Sequence, residues 1–400
     1  MFRLAWASLL NRRLTAGLTL AAITLSVVLL LGVETVRNGA REGFASTVSG
    51  TDLIVGARSG SVNLLLYSVF RIGNATNNVS GESVDALTAR PEVAWLVPIS
   101  LGDSHRGFRV LGTTPDYFEH FAYGRRQSLA FASGGPFAQT EDAVIGSGVA
   151  RALDYEIGDE IIVAHGLGAV SFQDHDEDPF RVVGILEPTG TPVDRTVHVG
   201  LDAIAAIHGE TLRPGRSPDV TAALLGLTSP IATLSLQRWV NTYPEEPLSA
   251  ILPGVALAEL WSLVGAAETA LLAVSALVVV TALIGLVTTI LTGLEARQRE
   301  IAVLRAVGAR PRDILALLLT EAVGLAVAGA VLGTALLYAL LFALRPTIEA
   351  RSGLFLPIDW PGPTEWMLLG AVVLGGAPAG LIPAIRAYRL SLANGLTARL

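Results

Sequence analysis

The chain has 400 residues, of which 51% are apolar and only 16% charged, against about 25% charged in a typical soluble domain. It has no cysteine, and all 28 basic residues are arginine. That excludes disulfides, thiol chemistry, a Schiff-base lysine and any GxxxxGK[ST] phosphate loop within these residues. A net charge of −7 with no basic stripe argues against nucleic-acid binding.

The apolar excess gathers into four blocks, and about 20 such residues cross a bilayer core of about 30 Å as a helix. Residues 1–13 place Phe2, Leu4, Trp6, Leu9 and Leu10 mostly on one helical face, which suits a short amphipathic segment on the cytoplasmic leaflet. The first span is expected over 14–35, behind Arg12 and Arg13. A cleaved signal peptide is the rival reading. The apolar run exceeds the usual core of about 7–15 residues and no A-x-A site follows, so it reads as an uncleaved anchor.

Residues 36–262 have ordinary globular composition and hold all six histidines. Asp52-Leu-Ile-Val, Val93 to Ile99 and Gly107 to Leu111 read as strands, with a helix over Ser83 to Ala89 between the first two. Further strands are expected at Ala143 to Gly146, Glu160 to Ala164, Ala169 to Phe172, Phe180 to Leu186 and Thr196 to Val199, separated by Gly, Asp and Pro. Gly148 to Leu153, Leu201 to His208 and about Leu248 to Trp261 read as helices. The expectation is an α/β domain with a β-rich insert at about 120–195.

The second span is expected over 263–292, a cytoplasmic loop over 293–313, the third span over 314–343, a short outer loop over 344–365, the fourth span over 366–386 and a tail over 387–400. Arg3, Arg12 and Arg13, then Arg297, Arg299, Arg305, Arg310 and Arg312, then Arg386, Arg389 and Arg399 all fall on one side. The positive-inside rule makes that side the cytoplasm, with both termini there and 36–262 outside. The fold class is therefore an α-helical membrane protein with four transmembrane helices plus an α/β extracytoplasmic domain between helices 1 and 2.

Few constellations carry chemistry. Asp174, Asp176 and Asp178 resemble the start of a calcium loop, but Pro179 replaces the turn glycine and Ile185 the bidentate glutamate. A solvated hairpin tip is the simpler reading, with divalent-metal binding together with His165 or His198 left open. Gly146-Ser-Gly148 is not a nucleophile elbow. No catalytic residues and no metal site are assigned. Two carboxylates fall in the spans: Glu268 near the outer end of the second, and Glu321 deeper in the third, where a helix–helix or helix–partner role competes with simple hydration. Gly324, Gly329 and Gly333 on the third span are small residues of the kind that let helices approach.

The loop from Glu295 to Ile314 reads as a short amphipathic helix, with Ile301, Val303 and Leu304 apolar among charges, broken at Gly308. Its order of residues, Arg297, Arg299, Glu300, Ile301, Arg305, Ala306, Gly308 and Ala309, followed by Ile314, Glu321 and Gly333, resembles the FtsX-like/MacB, or type VII, family of ABC-transporter permeases. Pro383, Ala384 and Ala387 resemble that family's C-terminal pattern, while Ser391 to Arg399 depart from it. Asp52 to Ala57, Gly158-Asp159 and Phe180 to Leu186 resemble its MacB-like periplasmic core domain.

The resemblance implies an external domain made of a porter-like part and a β-rich insert. It also implies a non-catalytic permease whose helix at about 297–308 docks on a separate ABC ATPase through Arg297, Arg299, Glu300, Ile301, Leu304, Arg305 and Gly308. ATP and Mg would be bound by that partner, with no cofactor in this chain. A second permease copy, as homodimer or related heterodimer, membrane lipids, and a periplasmic adaptor or substrate protein are the other implied partners. The implied setting is the bacterial inner membrane, and the implied work is efflux, lipoprotein release or mechanotransmission. The alternative is a membrane-anchored sensor or scaffold whose external domain binds a ligand or metal without transport.

Overall fold

The computed structural model describes residues 12–47, 49–124, 126–165, 179–207, 216–296, 303, 306–352 and 360–389. The chain divides into two compact units. One comprises Met1–Asn38, Gly265–Arg345 and Pro357–Leu400, and the other Gly39–Val264 with Pro346–Leu356.

The first unit is built from four helices that are long and apolar enough to cross a membrane. They are the membrane-length parts of α1 (Arg13–Thr47), α8 (Pro253–Ala296), α9 (Pro311–Ser352) and α10 (Pro363–Arg389), and six shorter helices lie between α1 and α8 among the described residues. Their apolar stretches reach mean hydropathies of 2.3, 2.8, 2.2 and 1.9. In lipid the backbone must satisfy itself, which selects helices here. The third span starts where local chemistry tells it to. Asp313 accepts the backbone N–H of Arg310 at 2.8 Å and returns its own N–H to the Arg310 carbonyl at 2.8 Å, a reciprocal cap with Pro311 at the first helical position. Ile23, Val27, Leu286, Ile314, Leu318, Ala322, Val372 and Ala384 form the buried centre of the bundle. At the opposite end of the bundle from Arg12, the buried Glu34 carboxylate receives Arg37 Nη2 at 2.7 Å and Asn38 Nδ2 at 3.2 Å. There too, Thr35 donates to Glu365 at 3.3 Å.

The second unit centres on an 11-stranded mixed sheet. Its strands include β1 (Leu53–Ala57), β2 (Val93–His105), β3 (Phe108–Thr113), β6 (Phe131–Gly134), β7 (Asp142–Ile145), β10 (Phe180–Leu186), β11 (Thr196–Gly200), β12 (Ala222–Leu227) and β13 (Leu248–Ile251). The order is β13-β1-β12-β2-β3-β11-β7-β10-β6. Two pairs, β3 with β11 and β7 with β10, are parallel. The long β2 joins two regions: Val93–Ile99 pairs with β12, and Ser100–His105 pairs with β3. Strand β1 is buried throughout, because Ile54 packs into one core beside Leu64 and Leu65 while Leu53 and Val55 pack into another beside Val84, Leu87 and Leu236. A third core forms around Val110, Ile145, Val182 and Val199, from β3, β7, β10 and β11.

Two local readings differ from the structure. Leu248 to Trp261 is not one helix: Leu248–Ile251 pairs with β1, and the helix begins at Pro253. Glu160 to Ala164 is not one strand, since Glu160–Ile161 pairs with β10 while Ala164–His165 pairs with β2. Helices α2 (Ser61–Ser68) and α7 (Thr233–Asn241) and strand β12 were not anticipated. The strand expected at Ala169 to Phe172 lies outside the described residues.

Candidate coupling and helix-packing site

Six of the seven loop residues singled out from sequence, Arg297, Arg299, Glu300, Ile301, Leu304 and Arg305, lie outside the described residues. Gly308 is described. Its φ of +107° falls in the left-handed range that glycine enters without penalty, so the chain turns there, three residues before the third span.

The intramembrane candidates separate by helical phase. Gly329 and Gly333, one turn apart, face the first span. A Cβ at Gly329 would lie 2.5 Å from Ile23 Cγ2, and one at Gly333 would lie 2.7 Å from Val27 Cβ and 2.9 Å from the Thr24 carbonyl. No larger residue fits without driving the helices apart. Gly324 stands five residues before Gly329, about 140° round the helix, and a Cβ there would meet nothing within 4 Å. It therefore takes no part in helix contact within this chain.

Glu321 is buried, at 7% exposure. It lines a cavity of about 20 Å³ with Arg12, Thr15, Thr289 and Leu325, so it sits where the first three spans converge, at the end of the bundle that carries Arg12. Two further features of this region escaped the sequence. Arg12 Nη2 donates to the Gly293 carbonyl at 2.6 Å, and the hydroxyls of Thr19 and Thr289 bond to each other at 3.0 Å. Gly376 and Gly380 of the fourth span also press on Ala326 and Ala322, where Cβ atoms would come within 2.7 and 2.5 Å. Their i, i+4 spacing on an apolar helix was the available signal.

In the second unit, a cleft of about 490 Å³ opens between helix α3 (Gly81–Thr88) and the insert, lined among others by Asp85, Thr113, Phe137, Gln139, Asp202 and Arg216. Asp85 accepts the Ser217 hydroxyl at 2.7 Å, and Arg216 pairs with Glu82. The α3 N-terminus is fixed by Glu246, whose carboxylate takes the Ser80 N–H at 3.1 Å, the Ser80 hydroxyl at 2.6 Å and the Ser83 hydroxyl at 2.5 Å.

His198, weighed above as a metal ligand, is sealed on β11 at 0% exposure. Its Nδ1 meets the Val144 carbonyl at 3.2 Å and its Nε2 has no partner. The rings of Tyr117 and Phe118 stand 5.4 and 5.7 Å away. Burial, reinforced by the charge of Arg71, pushes its pKa down to about 3, and burial pushes the Tyr117 hydroxyl up to about 12. A histidine enclosed in this way cannot reach a surface ion. The Asp174 to Asp178 cluster and the side chain of His165 lie outside the described residues. Among the described residues, no group of three or more His, Asp or Glu side chains is placed to hold a metal.

Four membrane-length helices with a mixed α/β domain inserted between the first and second define a multi-pass membrane protein with one large extramembranous domain. Residues 16–237, more than half of the chain, match the MacB-like periplasmic core domain, and residues 272–392 match the FtsX-like permease C-terminal family. The chain belongs to the FtsX-like, MacB-type permease family.

The macrolide export ATP-binding/permease protein MacB of Bdellovibrio bacteriovorus is 25% identical over 352 residues, which are 80% of this chain and 51% of that protein. The chain thus spans about half the length of that relative. Two solved structures are also similar. The extracellular domain of the noncanonic ABC-type transporter YknZ from Gram-positive bacteria is 13% identical, with 50% of this chain and 98% of that one covered and a TM-score of 0.32. A domain of a putative permease protein from Porphyromonas gingivalis is 10% identical, with 52% and 89% covered, also at 0.32.

Proposed function

We propose that this chain is the permease subunit of an ABC transporter, set in the bacterial inner membrane with both termini cytoplasmic. ATP hydrolysis by a separate ATPase would drive movement of its external domain. The observation that carries the reading is the order of modules: a MacB-like core domain, then an FtsX-like permease segment, with an arginine-rich loop between the second and third spans. The absence of lysine supports an engine on another chain, since no Walker-type phosphate loop exists in these residues. In this reading 297–308 docks on the ATPase, and a second permease copy completes the assembly. The cleft of about 490 Å³ has the size of small-molecule sites, about 300–1,000 Å³, and is the proposed seat of specificity. Efflux, lipoprotein release and mechanotransmission all use the same coupling.

The test is charge reversal in the loop. Arg299→Glu and Arg305→Glu are expected to abolish capture of the ATPase by the full-length chain, or to leave its ATP hydrolysis indifferent to the permease. Unchanged capture and unchanged hydrolysis would remove the docking role. A wild-type chain that captures no ATPase would return the reading to a membrane-anchored sensor or scaffold.

A further inference from the structure

We infer that Arg12 is a positioning residue, a latch that ties the cytoplasmic end of the first span to both flanks of the coupling loop. The inference rests on the ATPase-coupled reading above. Arg12 reaches the last turns of the second span through its bond to the Gly293 carbonyl at 2.6 Å. It also faces Glu321, about three turns into the third span, across a cavity of about 20 Å³ that Thr15 and Thr289 help to line. The loop leaves the membrane after Gly293 and returns before Glu321. One guanidinium on the first span therefore addresses both roots of the segment proposed to dock on the ATPase.

The geometry is specific to these residues. A guanidinium presents several donors in a fixed planar fork, so it serves two acceptors where an ammonium serves one point. A Cβ at Gly293 would lie 2.0 Å from Arg12 Nη1, so a side chain there displaces the guanidinium. The cavity has room for about one water molecule and the polar partners to hold it. Above the latch the same face of the first span meets the second through Thr19, whose hydroxyl bonds that of Thr289 at 3.0 Å, while the Ser26 hydroxyl donates to the Ala22 carbonyl of its own helix at 2.7 Å and only approaches the Val278 carbonyl, at 3.5 Å. Arg12, Thr19 and Ser26 follow one another at seven-residue intervals, so they form one stripe. A push on the loop thus reaches the first span at its base, and the stripe passes it along the helix.

The experiment immobilises the far end of the first span and asks whether the ATPase senses it. Thr35 and Glu365 are in contact at the outer end of the bundle, and the chain has no native cysteine. Thr35→Cys with Glu365→Cys can therefore be bridged by a short bis-methanethiosulfonate and released with dithiothreitol. In full-length chain assembled with its ATPase, bridging is expected to lower ATP hydrolysis about fivefold or more, as a site-to-site coupling would, and release to restore it. Adding Arg12→Gln is expected to leave assembly intact and make hydrolysis insensitive to the bridge. Gly293→Ala, which keeps the charge but displaces the guanidinium, should do the same and covers the case in which Arg12→Gln is not recovered. The latch is overturned if either variant still responds to the bridge as fully as its parent, if Gly293→Ala abolishes assembly, or if the parent ignores the bridge. Failure of the wild-type chain to capture an ATPase would instead sink the coupled reading, and the latch with it.

Discussion

His198→Asn changes the pH dependence of folding by an amount the structure fixes. In the folded chain the His198 ring is held neutral, with its pKa pushed from 6.5 down to about 3 by burial and by the charge of Arg71. The unfolded chain takes up the proton first. Stability is therefore full above about pH 6.5 and falls as pH is lowered toward 3. Each pH unit inside that window costs about 1.4 kcal/mol, so lowering the pH from 6.5 to 5 costs about 2 kcal/mol from this ring alone. Asparagine keeps a donor for the Val144 carbonyl but cannot titrate. Its own cost, a smaller side chain between Tyr117 and Phe118, is the same at every pH. Urea unfolding of the full chain in detergent, followed by tryptophan fluorescence, gives the comparison. His105 is also held below its ordinary pKa by burial, but it contributes to both proteins and cancels in the difference. The wild-type advantage over His198→Asn should shrink by about 2 kcal/mol between pH 6.5 and 5. Parallel stability curves across that range would show that the ring is not shielded as described.

Gly333→Leu is expected to destabilise the bundle by about 1–3 kcal/mol, the cost of overpacking, because Val27 and the Thr24 carbonyl already occupy the space. Gly324→Leu, with nothing within 4 Å, should stay within about 0.5 kcal/mol; equal effects of the two on thermal unfolding in detergent would contradict the assigned helix phase. Glu246→Gln should cost about 1–3 kcal/mol by weakening three hydrogen bonds at the start of α3. It should also raise amide exchange across Ser80–Asp85, and protection as in wild type would show that the carboxylate is dispensable there.

The spans were legible because membrane crossing needs a length of apolar residues, and nothing in the external domain imitates it. Several strands were legible for a similar reason: Phe180–Leu186 and Thr196–Gly200 are β-branched runs bounded by turn residues. Leu248 to Trp261 misled because it is apolar throughout, and only β1, nearly 200 residues earlier, decides that its first four residues are a strand. Ala222–Leu227 reads equally well as helix until β1 and β2 pair with it on either side. At the site, Gly329 and Gly333 could be named from spacing, and their phase alone would have set Gly324 apart. Arg12 was hidden in plain view. An arginine before an apolar run already has an explanation in the positive-inside rule, and nothing local says that this one turns back to bond Gly293.

The two sides of the first span are held by different chemistry, and the membrane explains why. Lipid tails are as apolar as leucine, so burying Ile23 or Val27 between helices gains nothing that lipid would not also offer. Specificity must come from shape or from polar groups. Toward the third span it comes from shape: Gly329 and Gly333 open a groove that admits Ile23 and Val27, which fixes separation but resists sliding only weakly. Toward the second span it comes from Arg12 and Thr19, whose partners stand at defined heights. Moving the helix by one residue would break these contacts together. A helix free to slide absorbs an axial push at its base, whereas one pinned at two heights passes the push on. On the proposed ATPase-coupled reading, the polar stripe is what would give the first span the stiffness that transmission along its axis requires.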